Sequence, residues 1–517
     1  TFKLKTDTSI IIKHNLRAPR VQVRATGTDG TPMTVKTRIV DNNSIEVLTR
    51  GDKNVRFTIT EVLKEDRPFM KELAAYATRL AMSPRNASIR WKRTNGMSLP
   101  LFRNDIGNIF GQSNSYGPMS PGLDFAFGFT GEDYIYKAKE RGWLITDDGQ
   151  TSPALVSQSE ELNLEVNLEP IKGLKIMLTM NRSDNRSRQV QFMYADMPVT
   201  RNGSYTRTHC ALSTALKSSS ASTGYASEAF DKFISYIPVV ASRVENSYRG
   251  LIYPSTGFMN NSPYAGHPFD PTIGTTSATS SDVLIPAFLA AYSGSDPSKV
   301  TLDPFPSFRS VLPNWRITYD ALQALPRLNG KIKSITLSHA YQCTYSVGSY
   351  SSYLNWLSAD GSDKGFTLDE LTGHPIPSSP FNISSVAITE RFAPLIGASV
   401  TLKNDLSFNA EYRDQRTLTL NSGAGQIVEA TSSGLTIGAG YKIVGFNTIL
   451  KMKGSGANVS NDLTINADFS LTNTQALIRR IETAYTQATS GTRTLSINFQ
   501  ASYVLSRRLT IAAYFDH

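Results

Sequence analysis

The sequence predicts an all-β fold: a segment of a transmembrane antiparallel β-barrel, joined to a small soluble β-module and a mixed extracellular insert. Three observations predict it. Long stretches alternate between apolar and polar residues, the apolar face of the later stretches carries no formal charge, and the connections between them are by turns short and long.

Residues Ile335 to Val347 set the pattern. Odd positions carry Ile335, Leu337, His339, Tyr341, Cys343, Tyr345 and Val347, with Thr336, Ser338, Ala340, Gln342, Thr344 and Ser346 between them. A strand turns successive side chains to opposite faces, so one face is oily and the other small and polar. Ordinary strands run about five or six residues, whereas a strand leaning across a bilayer needs about nine to eleven. A long hairpin of a soluble sandwich would give the same single segment. Repetition decides.

The composition is compatible. Hydrophobic residues make up 40% of the 517 and the mean hydropathy is −0.24, as expected where half of each strand faces water. The longest apolar run, Val283 to Tyr292, contains Pro286 and is far short of the ~20 residues of a membrane helix. Cys210 and Cys343 make no disulfide framework. The net charge of +10 is scattered without aromatic interleaving, which argues against nucleic acid and suits anionic lipid head groups. His14, His209, His267, His339, His374 and His517 make no metal-ligand spacing. No nucleophile elbow, Walker loop or dinucleotide fingerprint occurs. The expectation is therefore no enzyme, no metal and no cofactor. The chain opens at Thr1 without a leader and stops at Ala512–His517 inside a strand pattern, so both ends read as cuts in a longer protein.

Residues 1–63 read as a small soluble β-module with strands at Ile10–Ile12, Val21–Ala25, Val35–Val40, Ile45–Leu48 and Val55–Ile59. Asp29-Gly30 and Asp41-Asn42-Asn43 supply turns between them. Residues 64–84 read as an amphipathic helix and linker, with Phe69, Leu73, Tyr76 and Leu80 at helical spacing before Pro84. Residues 85–182 read as barrel strands. Leu123, Phe125, Phe127 and Phe129 share one face there, and Leu162, Leu164, Val166 and Leu168 turn at Pro170–Gly173 into Leu174, Ile176, Leu178 and Met180. Residues 183–314, rich in Ser, Thr, Gly and Pro with a helical stripe at Phe230, Phe233, Ile234 and Ile237, read as an extracellular, cap-like insert.

Residues 315–517 read as barrel strands. The side chains expected to face lipid are Ile335, Leu337, Tyr341, Tyr345, Leu406, Phe408, Leu435, Ile437, Ile465, Phe469, Leu495, Ile497 and Phe499. Those expected to face a wet lumen are Thr336, Ser338, Gln342, Ser407, Asn409, Glu411, Asn466, Asp468, Asn498 and Gln500. An Arg or Lys at mid-bilayer on the oily face costs roughly 2–4 kcal/mol, so its repeated absence favours lipid. Tyr341, Tyr345, Tyr350, Tyr353 and Trp356 fit an interfacial girdle. Short turns at Lys403–Asp405, Ile443–Phe446 and Ser506–Arg508 and longer loops at Leu420–Gly434, Gly454–Asp462 and Tyr353–Phe381 give an up-and-down parity with the short turns periplasmic. That parity requires a crossing at 477–487. It gives roughly ten crossings after 315 and four to six before, enough for a mid-sized barrel.

Several stretches resemble one family, the SprA (Sov) translocon of the Bacteroidetes type 9 secretion system. They include HNLRAPRVQVRATGTDG (14–30), SPRNASIRWKRTNGMSLPLF (83–102), EELNLEVNLEPIKGLKIMLTMNRS (160–183) and DVLIPAFLAAYSGSDPSKV (282–300). LPNWRITYDAL (312–322), APLIGASVTLKNDLSFNAEYRDQRTLTL (393–420), GLTIGAGYKI (434–443) and RRLTIAAYFDH (507–517) continue it. The resemblance implies the C-terminal part of a much longer chain, lacking one final strand, within a very large single-chain outer-membrane barrel that exports folded cargo. It also implies partners: a PorV-like barrel subunit at a lateral opening, a periplasmic plug protein, cargo bearing a C-terminal signal domain, and an inner-membrane motor. The other readings are a nutrient-uptake barrel, which would need an N-terminal plug, and a secreted β-sandwich adhesin.

Overall fold

The structure, a computed structural model, describes residues 2–517 apart from 5–8, 19–20, 29, 49–52, 62–82, 104, 106, 118, 132, 147–151, 193–198, 218, 308–311, 323–327, 329, 370–371, 447–461 and 507–508. The chain divides into two compact units, Thr1–Ala81 and Met82–His517. In the first, the strands are β1 (Phe2–Leu4), β2 (Ser9–Lys13), β3 (Val21–Gly27), β4 (Pro32–Met33), β5 (Lys36–Asp41), β6 (Ser44–Leu48) and β7 (Lys53–Glu61). They form two antiparallel sheets, β1-β7-β3-β4 and β2-β6-β5. Ile12, Ile45 and Val47 fill one small core. At the β5–β6 turn, the Asn43 N–H donates to the Asp41 carboxylate at 2.7 Å, an Asx turn of the kind Asp supplies. The helical stripe from Phe69 to Leu80 lies outside the described residues.

The second unit is built on a thirteen-stranded antiparallel sheet. Its first strands are β8 (Pro84–Ser98), β9 (Ala154–Ile171), β10 (Leu174–Val190), β11 (Thr200–Thr208) and β12 (Asn314–Tyr319). β13 (Ile332–Ser352) follows, then a small three-stranded sheet of β14 (Trp356–Ser358), β15 (Gly365–Leu368) and β16 (Pro375–Ser378), and the short β17 (Phe381–Asn382). The remainder are β18 (Ser385–Leu402), β19 (Leu406–Asn421), β20 (Gln426–Ile443), β21 (Leu463–Arg480), β22 (Tyr485–Ser506) and β23 (Leu509–Asp516). The spatial order runs β8-β9-β10-β11-β13 and then β18 through β23. Among the described residues the edge strands β8 and β23 do not pair with each other, so the sheet is open.

β11 and β12 share one lane. β11 pairs with the upper part of β10 (Arg182↔Arg207) and β12 with its lower part (Leu178↔Trp315), and both pair with β13 on the other side. The chain therefore leaves the sheet in mid-lane after Thr208, runs through about a hundred residues, and returns to the same lane at Asn314. The break is closed by polar contacts: the His209 N–H donates to the Cys343 carbonyl at 2.9 Å, and the Asn314 amide oxygen accepts the Cys343 N–H at 2.7 Å.

Four expectations change. First, the insert begins at 209 and not 183, because β10 continues to Val190 and β11 rejoins the sheet. The apolar alternation stops near Met180 while the backbone pairing does not. Second, Leu123, Phe125, Phe127 and Phe129 are not on a strand: α1 (Leu123–Ala126) and α2 (Asp133–Glu140) occupy the β8–β9 connection. Phe125 stacks on Tyr134 with ring centroids 5.3 Å apart, so local aromatic packing outweighs a four-residue alternation. Third, 477–487 is no crossing. β21 runs through Leu477 to Arg480, and Arg480 pairs directly with Tyr485 across a tight turn. Likewise Asn421 pairs with Gln426, so 426–434 is strand and not loop. Fourth, among the described residues the sheet strands from Asn314 onward, besides the two-residue β17, are β12, β13 and β18 through β23, where about ten crossings were expected. The loop expected at Gly454–Asp462 lies almost wholly outside the described residues, and Ile443 and Leu463 on either side of residues 447–461 are register partners.

The insert folds around two helices, α3 (Glu228–Tyr248) and α4 (Ser281–Ser293). Ser227 caps α3, its hydroxyl accepting the Phe230 N–H at 3.4 Å. α4 is apolar on every side, and Val283 through Tyr292 are all buried, as such a helix must be. Phe288 packs edge-on to Phe233 of α3 at 6.4 Å and is fully buried. Phe288→Ala should therefore cost about 3–5 kcal/mol, whereas Phe129→Ala, at a side chain 84% exposed, should stay within about 0.5 kcal/mol. Urea unfolding monitored by proteolytic cleavage of the insert measures both.

Candidate functional site

Register makes one face continuous across the sheet. Val166, Leu178, Trp315, Tyr341, Phe392, Asp414, Ser433, Asn473 and Arg493 are successive cross-strand partners in one row. On that face the lower strand halves carry a charge-free apolar band. It includes Leu162 to Leu168 on β9, Ile176 to Met180 on β10, Leu406 to Tyr412 on β19, Leu435 to Tyr441 on β20, Leu463 to Leu471 on β21 and Leu495 to Tyr503 on β22. Nine residues of β21 span about 26 Å of strand at ~3.3 Å each.

The band crosses the hydrogen-bonded rows obliquely. The row above passes through the middle of the band at Val166 and Leu178 but lies above it at Asn473 and Arg493. The band thus steps down by about six residues across the lanes from β9 to β22. With ~3.3 Å per residue and ~4.8 Å per lane, that is a lean of roughly 30°, a little under the ~35–45° of barrel strands. Phe408, Leu435, Ile437, Phe469, Leu495, Ile497 and Phe499 are exposed along this band, as is Leu337, while Ile335, Leu406 and Ile465 are half-buried.

The opposite face is polar: Thr336, Ser338 and Gln342 on β13, Ser407, Asn409 and Glu411 on β19, Asn466 and Asp468 on β21, and Asn498 and Gln500 on β22. It is also the crowded face. A Cβ at Gly438 would collide with the side chains of Asn409 and Asp468, and one at Gly440 with Ser407 and Asn466. Glycines that let neighbouring polar side chains converge mark the side toward which a sheet can curve.

Above the band the same oily face is covered by the insert. Tyr341 and Tyr345 are completely buried there, with Tyr345 donating to the Pro304 carbonyl at 3.0 Å and Tyr341 to Glu390 at 2.6 Å. The expected aromatic girdle is corrected. Tyr341 and Tyr345 lie on the expected face but contact protein, and they, with the buried Tyr350, belong to the core under the insert rather than to a girdle. The insert packs on the face that bears the apolar band, and among the described residues the polar face is left free of it. Cys343 is buried in the same core and unpaired. His339 bonds the Leu395 carbonyl through Nδ1 at 2.6 Å and sits between Trp315 and Phe392.

Two ion pairs fasten the insert to the sheet. Arg416 pairs with Glu390 at 2.8 Å and donates to the Thr214 carbonyl and hydroxyl, each at 2.8 Å. Arg479 pairs with Glu429 at 2.7 Å and donates to the Tyr225 carbonyl at 2.7 Å. All four charged side chains are buried. Sequence reasoning missed them. The signal was present: charges at Glu390, Arg416, Glu429 and Arg479 interrupt the oily face, and alternation alone gives no partner for them. Among the described residues no cluster of His, Cys, Asp or Glu could hold a metal ion. No family model and no curated protein matches this chain.

Arg479→Met leaves the Glu429 carboxylate buried and unpaired, and should destabilise the second unit by about 3–5 kcal/mol, with the Arg479→Met/Glu429→Leu double variant recovering most of the loss. Arg413→Met, which removes a half-exposed partner of Glu411, should cost under about 1 kcal/mol. Chemical denaturation compares the three.

His209 provides a pH test. Burial, and secondarily the Arg207 charge, push its imidazole down to about 3 from an ordinary value of 6.5, and Ser293 hydrogen-bonds its Nε2 at 2.8 Å. The unfolded chain takes up a proton near pH 6.5 that the folded one refuses until about pH 3. Stability is therefore full above 6.5 and falls as pH drops through that window. His209→Gln should flatten this part of the stability–pH curve.

Proposed function

We propose that this chain is a segment of an outer-membrane protein-conducting channel of the SprA (Sov) type, which exports folded cargo in type 9 secretion. The observation that carries the membrane part is the leaning, charge-free band on one face of a single sheet, set against a polar, crowded counter-face. Lipid against the band requires no buried charge, and it tolerates sheet backbone because every interior strand is paired on both sides. The translocon itself rests on the sequence resemblance.

In this proposal the polar face lines the lumen. Ser, Thr, Asn and Gln stay wet there and give a passing protein little apolar surface to adhere to. The insert stands against the outer wall above the bilayer, where it stiffens the strands that rise past the lipid. The open edges at β8 and β23 need continuation by further strands or cover from another subunit, because unpaired strand backbone in lipid is costly. A PorV-like barrel is the partner that the resemblance offers for a lateral opening. A plug protein, signal-bearing cargo and a motor belong to the same proposal. A sandwich adhesin would need a second sheet on the apolar band, and among the described residues none lies on it.

Charge scanning tests the assignment. Ile497→Arg and Phe469→Arg should abolish heat-modifiable barrel assembly, at roughly 2–4 kcal/mol each, while Asn498→Arg and Asn466→Arg should leave assembly near wild type. Equal tolerance on both faces, or native protein released from membranes by carbonate without detergent, would overturn the membrane reading. Loss of cargo secretion in cells that still insert the barrel tests the translocon reading separately.

A further inference from the structure

The β8–β9 connection carries an apolar surface that the fold leaves bare. Ile109, Phe110, Met119, Leu123, Phe127 and Phe129 are all exposed, Ile109 by 93% and Phe129 by 84%. The rings of Phe110 and Phe127 lie 5.8 Å apart, which joins two turns of the connection into one patch. Residues 107–131 hold a single formal charge, Asp124, in a chain that is 19% charged. An exposed apolar patch with so little charge marks an interaction surface.

The backbone under the patch is closed on itself. At the first turn the Asn108 amide oxygen accepts the Phe110 and Gln112 N–H groups, both at 2.9 Å. The buried Gln112 donates from Nε2 to the Phe110 carbonyl at 2.9 Å and accepts the Gly122 N–H at 2.8 Å. At the second turn every N–H from Ala126 to Phe129 donates to a carbonyl of residues 122–125, at 2.8 to 3.2 Å. Water would satisfy these groups in an ordinary exposed loop, whereas an apolar medium offers them no partner. Internal closure therefore suits immersion in a poorly hydrated layer.

The patch also lies beside the upper border of the band. On β8 the band ends with Ala87, Ile89 and Trp91, register partners of Val166, Leu164 and Leu162. Arg93 is the next residue on that face, about 7 Å further along the strand. A cavity of about 380 Å³ is lined by Arg93 and Met97 of the sheet and by Phe125, Gly128 and Thr130 of the connection. The Phe127–Phe129 turn thus overhangs the sheet where the band stops. We propose that this turn and the Ile109–Phe110 turn dip into the head-group layer of the outer leaflet and rest on lipid. The inference rests on the membrane reading, which puts the band's upper border at the bilayer surface. Aromatic side chains favour that layer, and a patch adjoining the band extends the same lipid contact from the sheet to the connection.

The test uses the full chain in phosphatidylcholine nanodiscs containing a phospholipid with a photoactivatable diazirine on its acyl chain, and maps labelled residues by peptide mass spectrometry. Ile497 of the band is the internal reference. Leu354, 63% exposed beyond the upper end of β13, is the apolar control. The expected result is labelling of Phe110, Phe127 and Phe129 comparable to that of Ile497, with Leu354 unlabelled. Phe129→Asp changes an exposed side chain and so preserves folding. It should lower labelling of Ile109 and Phe110 roughly tenfold while leaving Ile497 unchanged, because a carboxylate resists entry into the layer. Labelling at Ile497 with neither turn labelled above Leu354 assigns the patch to a protein partner, overturns the inference and leaves the membrane reading standing. Unchanged labelling in Phe129→Asp overturns it as well. Absence of label at Ile497 overturns the membrane reading, and the inference with it.

Discussion

The register of one antiparallel sheet is the constraint on which the second unit depends. Because strand side chains alternate strictly, a slip of one residue in any lane would carry its whole apolar set to the polar side. Within the apolar band the described lanes from β8 to β23 stay in phase. The bulges on β18 between Phe392 and Ile396 and at Ala476/Leu477 adjust pairing without mixing the faces within the apolar band. A surface of Leu, Ile and Phe on one side and Ser, Thr and Asn on the other exists only because these pairings are kept together.

That sheet has two regimes along its strands. In the lower regime the oily face is bare and free of charge. In the upper regime the strands continue, but the face acquires Glu390, Arg416, Glu429 and Arg479 and is covered by the insert. The buried ion pairs there are weak evidence for stability, since desolvation offsets most of their attraction. Their value is positional. Each arginine holds a carboxylate on the neighbouring strand and a carbonyl of the insert at once, so it fixes where a long excursion lies on a surface that is otherwise apolar. The split lane serves the same end: β11 and β12 keep the sheet paired while about a hundred residues leave from its middle.

For a protein conduit in a bilayer, this division is physically coherent. Lipid would touch only residues that need no hydrogen bonds, the lumen would present side chains that stay hydrated, and the folded excursion would lie where both water and protein can satisfy it. The insert packs on the face that carries the apolar band, so the described residues of the polar face are left unobstructed by this part of the chain.

The sequence by itself determined the strand faces. Alternation over Leu463–Leu471 or Leu495–Tyr503 is a local property of side-chain chemistry, and the turn at Asn43 is likewise encoded within a few residues. It could not determine where strands end once the apolar pattern stops, because above the band the polar residues of Arg182 to Arg188 pair through their backbone, which no side-chain pattern reveals. Nor could it show that Tyr341 and Tyr345 meet protein: an oily face reads the same whether lipid or a helix such as α4 covers it. Only the tertiary structure brought Arg479 to Glu429 and Tyr225, residues hundreds of positions apart in part, because such contacts depend on how distant segments fold back and not on any neighbour in sequence.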